Sequence, residues 1–288
     1  MRYFLAVAEE LNITRAARRL HISQPPLSRQ LSQPEEELGV TLFLRGKRKL
    51  ELTEEGKYLM QQARDILNMA SHTEARLSQM QKGEVRGTLL LGVTETCSAS
   101  ILPAVLPLFR EKYPGVSYDI LCGSSNEVCR KLEEGILDIG IIRDPFNLEK
   151  FESHFLKKES WMAVVGKGHP LEKQKEITPE ELAGASLFVP SRPPLYEEIC
   201  GWFGGEAKVL GKYNQVASIL PLIAENMGVG ICPESVDCYA DSQRVTCLKL
   251  VKPERTSCLY MVRQTGRLLP AGGRVFWDFL RDQGPAWR

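Results

Sequence analysis

Apolar residues recur at helical spacing from the first turn of the chain. Phe4, Val7, Ala8 and Leu11 share one face of a helix over residues 2–11. Thr14 can cap a second helix that turns Ala16, Ala17 and Leu20 inward. His21-Ile22-Ser23 reads as a short turn, with Ser23 as the cap of a third helix. Gln24, Pro25 and Pro26 fill its first turn, where proline is tolerated because those N–H positions have no helical partner. Leu27, Leu31 and Leu38 continue an apolar stripe, and Gly39 is a natural stop. Residues 40–44 and 49–52 alternate like two short strands around a basic, glycine-containing turn. Three helices followed by a two-stranded wing outline a winged helix-turn-helix.

Pro34 interrupts the stripe between Leu31 and Leu38. Inside a helix it loses the N–H bond to Gln30 and crowds that carbonyl, at a cost of about 3 kcal/mol. It also pushes Gln33 away from helical geometry. A kink or early stop is expected near residue 33.

Thr53 can cap a long helix reaching about Lys82, with Tyr58, Leu59, Ala63, Ile66, Leu67, Ala70, Leu77 and Met80 at near-helical or heptad spacing. No small domain needs that length. A connecting helix that pairs with a second subunit accounts for it, and a surface helix packed on its own chain is the alternative. Residues 83–87 mark a boundary. From Thr88 strands and helices alternate: strands at 89–93, 116–122, 137–142, 161–165, 187–189 and 229–232, and helices at 101–113, 127–134, 216–226 and 272–281. Such alternation implies a mainly parallel α/β sheet. Thr178-Pro179-Glu180-Glu181 is a capping box.

Length and charge refine this outline. At 288 residues the chain suits about two domains. The net charge is +1, yet residues 1–64 hold 11 Lys and Arg against 8 Asp and Glu. Residues 13–30 carry Arg15, Arg18, Arg19 and Arg29 with no acid, and residues 43–50 carry Arg45, Lys47, Arg48 and Lys49 with none. Two acid-free basic stretches in one small segment point to a polyanion partner; each alone also reads as a solvated face. The apolar run at residues 4–8 is too short for a signal peptide, and no run approaches a membrane span, so a cytoplasmic protein with eight reduced cysteines is expected. The four histidines are scattered and no Cys-x-x-Cys occurs, so neither metal nor cofactor is expected. No Gly-x-Ser-x-Gly, P-loop or Cys/His/Asp arrangement suggests an enzyme.

The segment Ala16-Ala17-Arg18-Arg19-Leu20-His21-Ile22-Ser23-Gln24-Pro25-Pro26-Leu27-Ser28-Arg29-Gln30-Leu31 closely resembles the signature of LysR-type transcriptional regulators. So do Glu36-Glu37-Leu38-Gly39-Val40-Thr41-Leu42-Phe43 and Leu52-Thr53-Glu54-Glu55-Gly56. Further on, Leu102-Pro103, Gly135-Ile136-Leu137-Asp138-Ile139-Gly140, His169-Pro170-Leu171 and Gly228-Val229-Gly230-Ile231-Cys232-Pro233 fall in the family's order. Pro34 departs from it, standing where the family usually has leucine. The resemblance implies an α+β multidomain protein. Its parts are a winged helix-turn-helix at 1–57, a linker and dimerisation helix at 58–83, and an effector-binding domain at 86–288. That domain resembles a periplasmic binding protein: two α/β subdomains, about 86–160 with 266–288 and about 161–265, joined by two crossover strands.

It further implies a sequence-specific regulator that binds double-stranded DNA as a homodimer or homotetramer. Base and phosphate contacts are placed at Gln24, Pro25, Ser28 and Arg29, with Arg45, Lys47 and Arg48 as a wing against phosphate or minor groove. Gln and Arg suit adenine and guanine edges; Ser28 also reads as a plain exposed helix residue. An effector is expected in the cleft, at the carboxyl ends of strands. Those ends offer Thr94, Glu95, Ser124, Ser125, Arg143, Pro190 and Ser191, followed by Arg192. Hydroxyls with an arginine suit a small carboxylate, and Glu95 suits the cationic group of an amino-acid-like metabolite. Arg143 reads equally as a structural ion pair with Asp144 or Glu95, and Thr94 as a helix cap. Two alternatives stand beside this: a thiol-based redox sensor using Cys200, and a ligand sensor whose DNA binding is impaired by Pro34.

Overall fold

The structure, a computed structural model, describes residues 1–45, 50–80, 85–204 and 207–283. The chain forms two compact units, Met1–Gln81 and Lys82–Arg288.

The first unit opens with α1 (Arg2–Glu10), α2 (Ile13–Arg19) and α3 (Gln24–Leu38), continues through β1 (Phe43–Arg45) and β2 (Leu50–Leu52), and ends in α4 (Glu54–Met80). Phe4, Val7, Ala16, Ala17, Leu27, Leu31, Leu42, Phe43 and Ala63 form one buried core. The Phe4 and Phe43 rings lie 5.3 Å apart and join α1 to the wing. The cap of α2 is Asn12, whose side chain accepts from Arg15 N at 3.0 Å, and not Thr14, which falls inside the first turn. Ser23 stands at the cap position of α3 without a side-chain capping bond.

The expected break at Pro34 does not occur: α3 continues to Leu38. Its distal turn is tied down from outside the helix. The Glu35 carboxylate accepts from Leu42 N at 2.7 Å and Phe43 N at 3.1 Å, and Gly39 closes the helix in the left-handed region at φ 66°. The inward stripe is shorter than expected, because Leu38 is 60% exposed. β1 and β2 pair antiparallel, Phe43 opposite Leu52. Thr53 caps α4 by accepting from Gly56 N at 2.9 Å. Position 56 needs glycine, since a Cβ there would lie 2.2 Å from the Leu42 carbonyl oxygen. Ala63 of α4 packs into the core, whereas Tyr58, Ile66 and Met69 are exposed. The side chains of Leu77 and Met80 lie outside the described residues.

The second unit is built on strands β3 (Gly87–Val93), β4 (Val116–Cys122), β5 (Ile139–Arg143), β6 (Phe151–Gly166), β7 (Glu176–Ile177), β8 (Ser186–Pro190), β9 (Lys208–Tyr213), β10 (Val229–Pro233), β11 (Val245–Leu250) and β12 (Thr256–Gln264). Helices α5 (Glu95–Ser100), α6 (Leu102–Lys112), α7 (Ser125–Glu133), α8 (Pro193–Trp202), α9 (Leu220–Ala224) and α10 (Ala271–Gln283) connect and cover them. Strand order is β4-β3-β5-β12-β6-β10-β8-β9, with β11 on β6 and β7 on β11. Pairing is parallel among β4, β3 and β5 and among β10, β8 and β9. The long β6 links the halves. Its residues 151–160 pair with β12, and its residues 161–166 pair with β10 and β11.

Each half has its own core. Leu89, Leu91, Phe109, Ile139 and Met261 pack with Phe276 of α10, and Phe109 meets Phe276 edge-on at 5.0 Å. Trp161, Val189, Ile199, Trp202 and Ile231 fill the other half. The Thr178–Glu181 capping box forms reciprocally, but it opens only a single 3-10 turn, Glu180–Leu182. The expected helix at 101–113 forms as α6, and α5 precedes it as a further short helix. The one at 216–226 divides into the 3-10 turn Val216–Ser218 and α9.

Candidate functional site

In the first unit, Leu20 and left-handed His21 (φ 56°) turn the chain from α2 into α3. Leu27 and Leu31 fix one side of α3 to the core, which leaves Gln24, Pro25 and Arg29 exposed and Ser28 half-buried on the outward side. Arg15 and Arg19 are engaged with Glu10 and Glu9. Arg29 has no partner among the described residues, so its five donors are available. Arg45 ends β1, but its side chain lies outside the described residues, as do Lys47 and Arg48.

In the second unit, strand ends converge on a cavity of about 120 Å3. β3 delivers Thr94 and Glu95, β4 delivers Ser124 and Ser125, β5 ends in Arg143, and β8 delivers Pro190 and Ser191; all seven line it. A second cavity of about 280 Å3 adjoins it and shares Glu95, Gly123, Ser124, Ser191, Arg192 and Asn214. Sequence reasoning did not find Thr96, Trp161, Tyr213, Asn214 and Val216, which also line the inner cavity.

The side chains differ in how far they are already engaged. Arg143 is 5% exposed, and its partner is neither Asp144 nor Glu95. It donates to Glu159 at 2.7 Å, to Thr96 and Ser235 at 3.4 Å, and to Ser257. Ser235 also donates to Glu159, at 3.0 Å, and Lys157 lies 3.4 Å from it. Burial pushes the Glu159 carboxyl up, but Arg143, Lys157 and Ser235 outweigh it and leave it below its ordinary value. The Ser125 hydroxyl donates to the Arg143 carbonyl and accepts from its N–H, so it holds Arg143 in place. Thr94 stands at the cap position of α5, but its hydroxyl donates to Cys97 Sγ at 2.9 Å rather than accepting a capping bond. Ser124 caps α7 by accepting from Glu127 N at 3.2 Å. Among the described residues, the Ser191 and Asn214 side chains have no hydrogen-bond partner.

Beyond the Arg143–Ser235 and Ser235–Glu159 bonds, further ties cross from one half to the other. Arg192 donates to the carbonyls of Arg143 at 3.2 Å, Pro145 at 3.3 Å and Asp144. The Glu95 carboxylate accepts from Val216 N at 2.5 Å and Ala217 N at 3.1 Å, and Tyr239 Oη donates to the Glu95 carbonyl. Of the eight thiols, seven are pushed up, chiefly by burial; Cys97 and Cys129 reach about 11 and Cys232 about 12. That direction disfavours the reactive thiolate. Cys200 lies half-buried in α8.

Known proteins give this geometry a context. Residues 1–57 match the family described as bacterial regulatory helix-turn-helix protein, lysR family, and residues 82–285 match the LysR substrate binding domain. The chain belongs to the LysR family. This LysR-family chain is 36% identical over 245 residues to the uncharacterized HTH-type transcriptional regulator YnfL of Escherichia coli (strain K12), covering 82% of the chain and 81% of that protein. It is 31% identical over 253 residues to the Hca operon transcriptional activator HcaR of the same strain, covering 85% and 84%. Full-length CbnR complexed with its target DNA is similar across 98% of both chains, with a TM-score of 0.81 and 25% identity. The LysR-family chain is therefore a DNA-binding transcription regulator with an effector-binding domain, and not an enzyme. No described helix is long and apolar enough to cross a membrane.

Proposed function

We propose that this regulator reads double-stranded DNA with the outward side of α3 and takes its effector in the cavity of the second unit. Gln24, Pro25, Ser28 and Arg29 make the base and phosphate contacts, and Arg45, Lys47 and Arg48 flank them on phosphate or in the minor groove. The observation that carries this reading is the division of α3. Leu27 and Leu31 are buried, while Gln24 and Arg29 face outward at its amino-terminal end, the end that enters a major groove in helix-turn-helix proteins. The likeness to CbnR on its target DNA supports the same reading. Exposed Ile66 and Met69 on α4 suit a homodimer or homotetramer.

The effector is a small amino-acid-like metabolite. Arg143 is not free to bind a carboxylate, because Glu159 already takes its charge. What remains on the cavity walls is one charge of each sign, Arg192 and Glu95, with the unengaged polar groups of Ser191 and Asn214. Opposite charges on facing walls suit a molecule carrying both an amino and a carboxylate group better than a bare anion. Binding in the cleft biases the oligomer toward one state and so alters its affinity for DNA.

A thermal-shift screen of amino acids against simple carboxylates tests the effector class, because a ligand selective for the folded state raises the melting temperature. Stabilisation by an amino acid and not by its deaminated acid is the expected result. The reverse preference contradicts the reading.

A further inference from the structure

The two adjoining cavities differ in what walls them. Trp161, Leu195, Tyr213 and Val216, all buried, line the cavity of about 120 Å3 and not its neighbour. The Tyr213 hydroxyl is spent on the Ile231 carbonyl at 2.7 Å, so that residue offers the cavity its ring. Asn126, Glu127 and Gln215 line only the cavity of about 280 Å3, and Arg192 belongs to both walls. The pair therefore runs from an apolar end, past an arginine, to a polar end that holds an acid. That acid does not do what its spacing suggests. Ser124-Ser125-Asn126-Glu127 has the pattern of a capping box, in which the carboxylate returns a bond to the cap N–H. Thr178 and Glu181 make both bonds. Here Ser124 accepts from Glu127 N at 3.2 Å, but the Glu127 carboxylate has no hydrogen-bond or ion-pair partner among the described residues. It lies instead over Gly123, where a Cβ would come within 2.6 Å of its Oε2. The Cys122 thiol on the same wall is pushed up by burial first, and then by Glu95 and Glu127, so this wall carries a negative field.

We propose that the effector is an α-amino acid with an aliphatic or aromatic side chain, its ammonium group on Glu127, its carboxylate on Arg192 and its side chain among Trp161, Leu195 and Tyr213. The inference rests on the reading of the cavity as the effector site and narrows it. An ammonium group needs acceptors that are not already bonded. Glu95 has given one oxygen to Val216 N and the other to Ala217 N, so its charge adds to the attraction while Glu127 receives the ligand's protons. Three of the five Arg192 donors go to the carbonyls of residues 143–145, which leaves two, Nε among them, for a carboxylate. At the apolar end the neighbouring polar groups of Thr94, Ser125 and Arg143 are bonded within the protein. A charged or hydroxylated side chain would be buried there without a partner, which is unfavourable. An apolar side chain meets no such penalty. The volume of about 120 Å3 is close to the roughly 150 Å3 of an apolar cavity that takes a benzene ring.

Titration calorimetry on the full chain tests this with six probes: L-leucine, L-phenylalanine, L-serine, L-aspartate, and the deaminated acids 4-methylpentanoate and 3-phenylpropanoate. The native protein is expected to bind L-leucine or L-phenylalanine at least tenfold more tightly than L-serine, L-aspartate or the matching deaminated acid. Glu127→Gln should weaken binding of that amino acid by roughly ten- to a hundredfold, the worth of one charge-assisted bond. Its binding of the matching deaminated acid should stay the same, since no ammonium group is there to lose its partner. Glu127→Asp keeps the charge on a shorter stem and should lose less. Glu127 is exposed, so neither substitution strands a buried group. Undiminished affinity for the amino acid in Glu127→Gln would overturn the proposal, and so would an equal loss for the amino acid and its deaminated acid. Preference for L-serine or L-aspartate would overturn it while leaving the effector site in place. Binding of the deaminated acids alone, or of no probe, would remove the amino-acid reading beneath it as well.

Discussion

Arg143 shows how a single residue can look like a ligand anchor in the sequence and act as a beam in the fold. It ends β5 at the cavity wall, yet its guanidinium is turned onto Glu159 and three hydroxyls. Removing one partner of a buried ion pair leaves the other charge unpaired, at about 3–5 kcal/mol. Arg143→Met is expected to lose stability on that scale in urea unfolding at pH 7. The pH dependence follows from the depressed Glu159 carboxyl. Its contribution is complete above the unfolded carboxylate value of about 4.3 and is lost as pH falls through the lower folded value. In Arg143→Met the burial of Glu159 is opposed only by Lys157 and Ser235, so its carboxyl rises and that protein loses less stability on acidification than the native one. The gap between the two proteins should narrow between pH 7 and pH 4, and a constant gap would separate Arg143 from Glu159. The candidate cavity was legible because strand ends are readable: Thr94, Glu95, Ser124, Ser125, Arg143, Pro190 and Ser191 each follow or end an apolar run. What each side chain does there was not legible. Glu159 lies sixteen residues from Arg143 inside a mixed polar strand.

At the scale of elements, Pro34 sets local propensity against tertiary ties. The helix survives because the Glu35 carboxylate fastens its last turns to Leu42 and Phe43. Pro34→Leu restores the bond to Gln30 and should raise the melting temperature, by up to about 3 kcal/mol of stability. Glu35→Ala should cost about 1–3 kcal/mol by stranding two amides. In the Glu35→Ala background the gain from Pro34→Leu should grow, and calorimetry of the four proteins would measure that coupling. The elements missed in the sequence are mostly those without a clean period. β9 alternates Lys, Val, Leu and Lys with a glycine at the sheet edge. α8 begins Pro193-Pro194 and contains Gly201, so it offers little helical signal. β11 and β12 depend on pairing with the long β6, a constraint that no local window carries. Because β9 was missed, so were Asn214 and Val216 beyond its end.

At the scale of the whole molecule, the exposed side of α4 and the outward side of α3 belong to one account, in which two or more chains present their α3 helices together. Ile66→Glu places a charge on the exposed apolar side of α4. Sedimentation should then show a smaller species than the native protein at the same concentration, and unchanged sedimentation would move the interface elsewhere. Binding to DNA should weaken steeply with salt, as phosphate contacts require.

Selection of bound sequences from a random duplex library, followed by anisotropy titration of the enriched duplex, bears most directly on the DNA-reading role of α3. Enrichment of a partly palindromic sequence is expected, because a two-fold protein matches a two-fold site. Gln24→Ala and Arg29→Ala should each lose about 1–3 kcal/mol of preference for that sequence over a scrambled one. Full discrimination retained by both variants, or no enrichment even at low ionic strength, would contradict it.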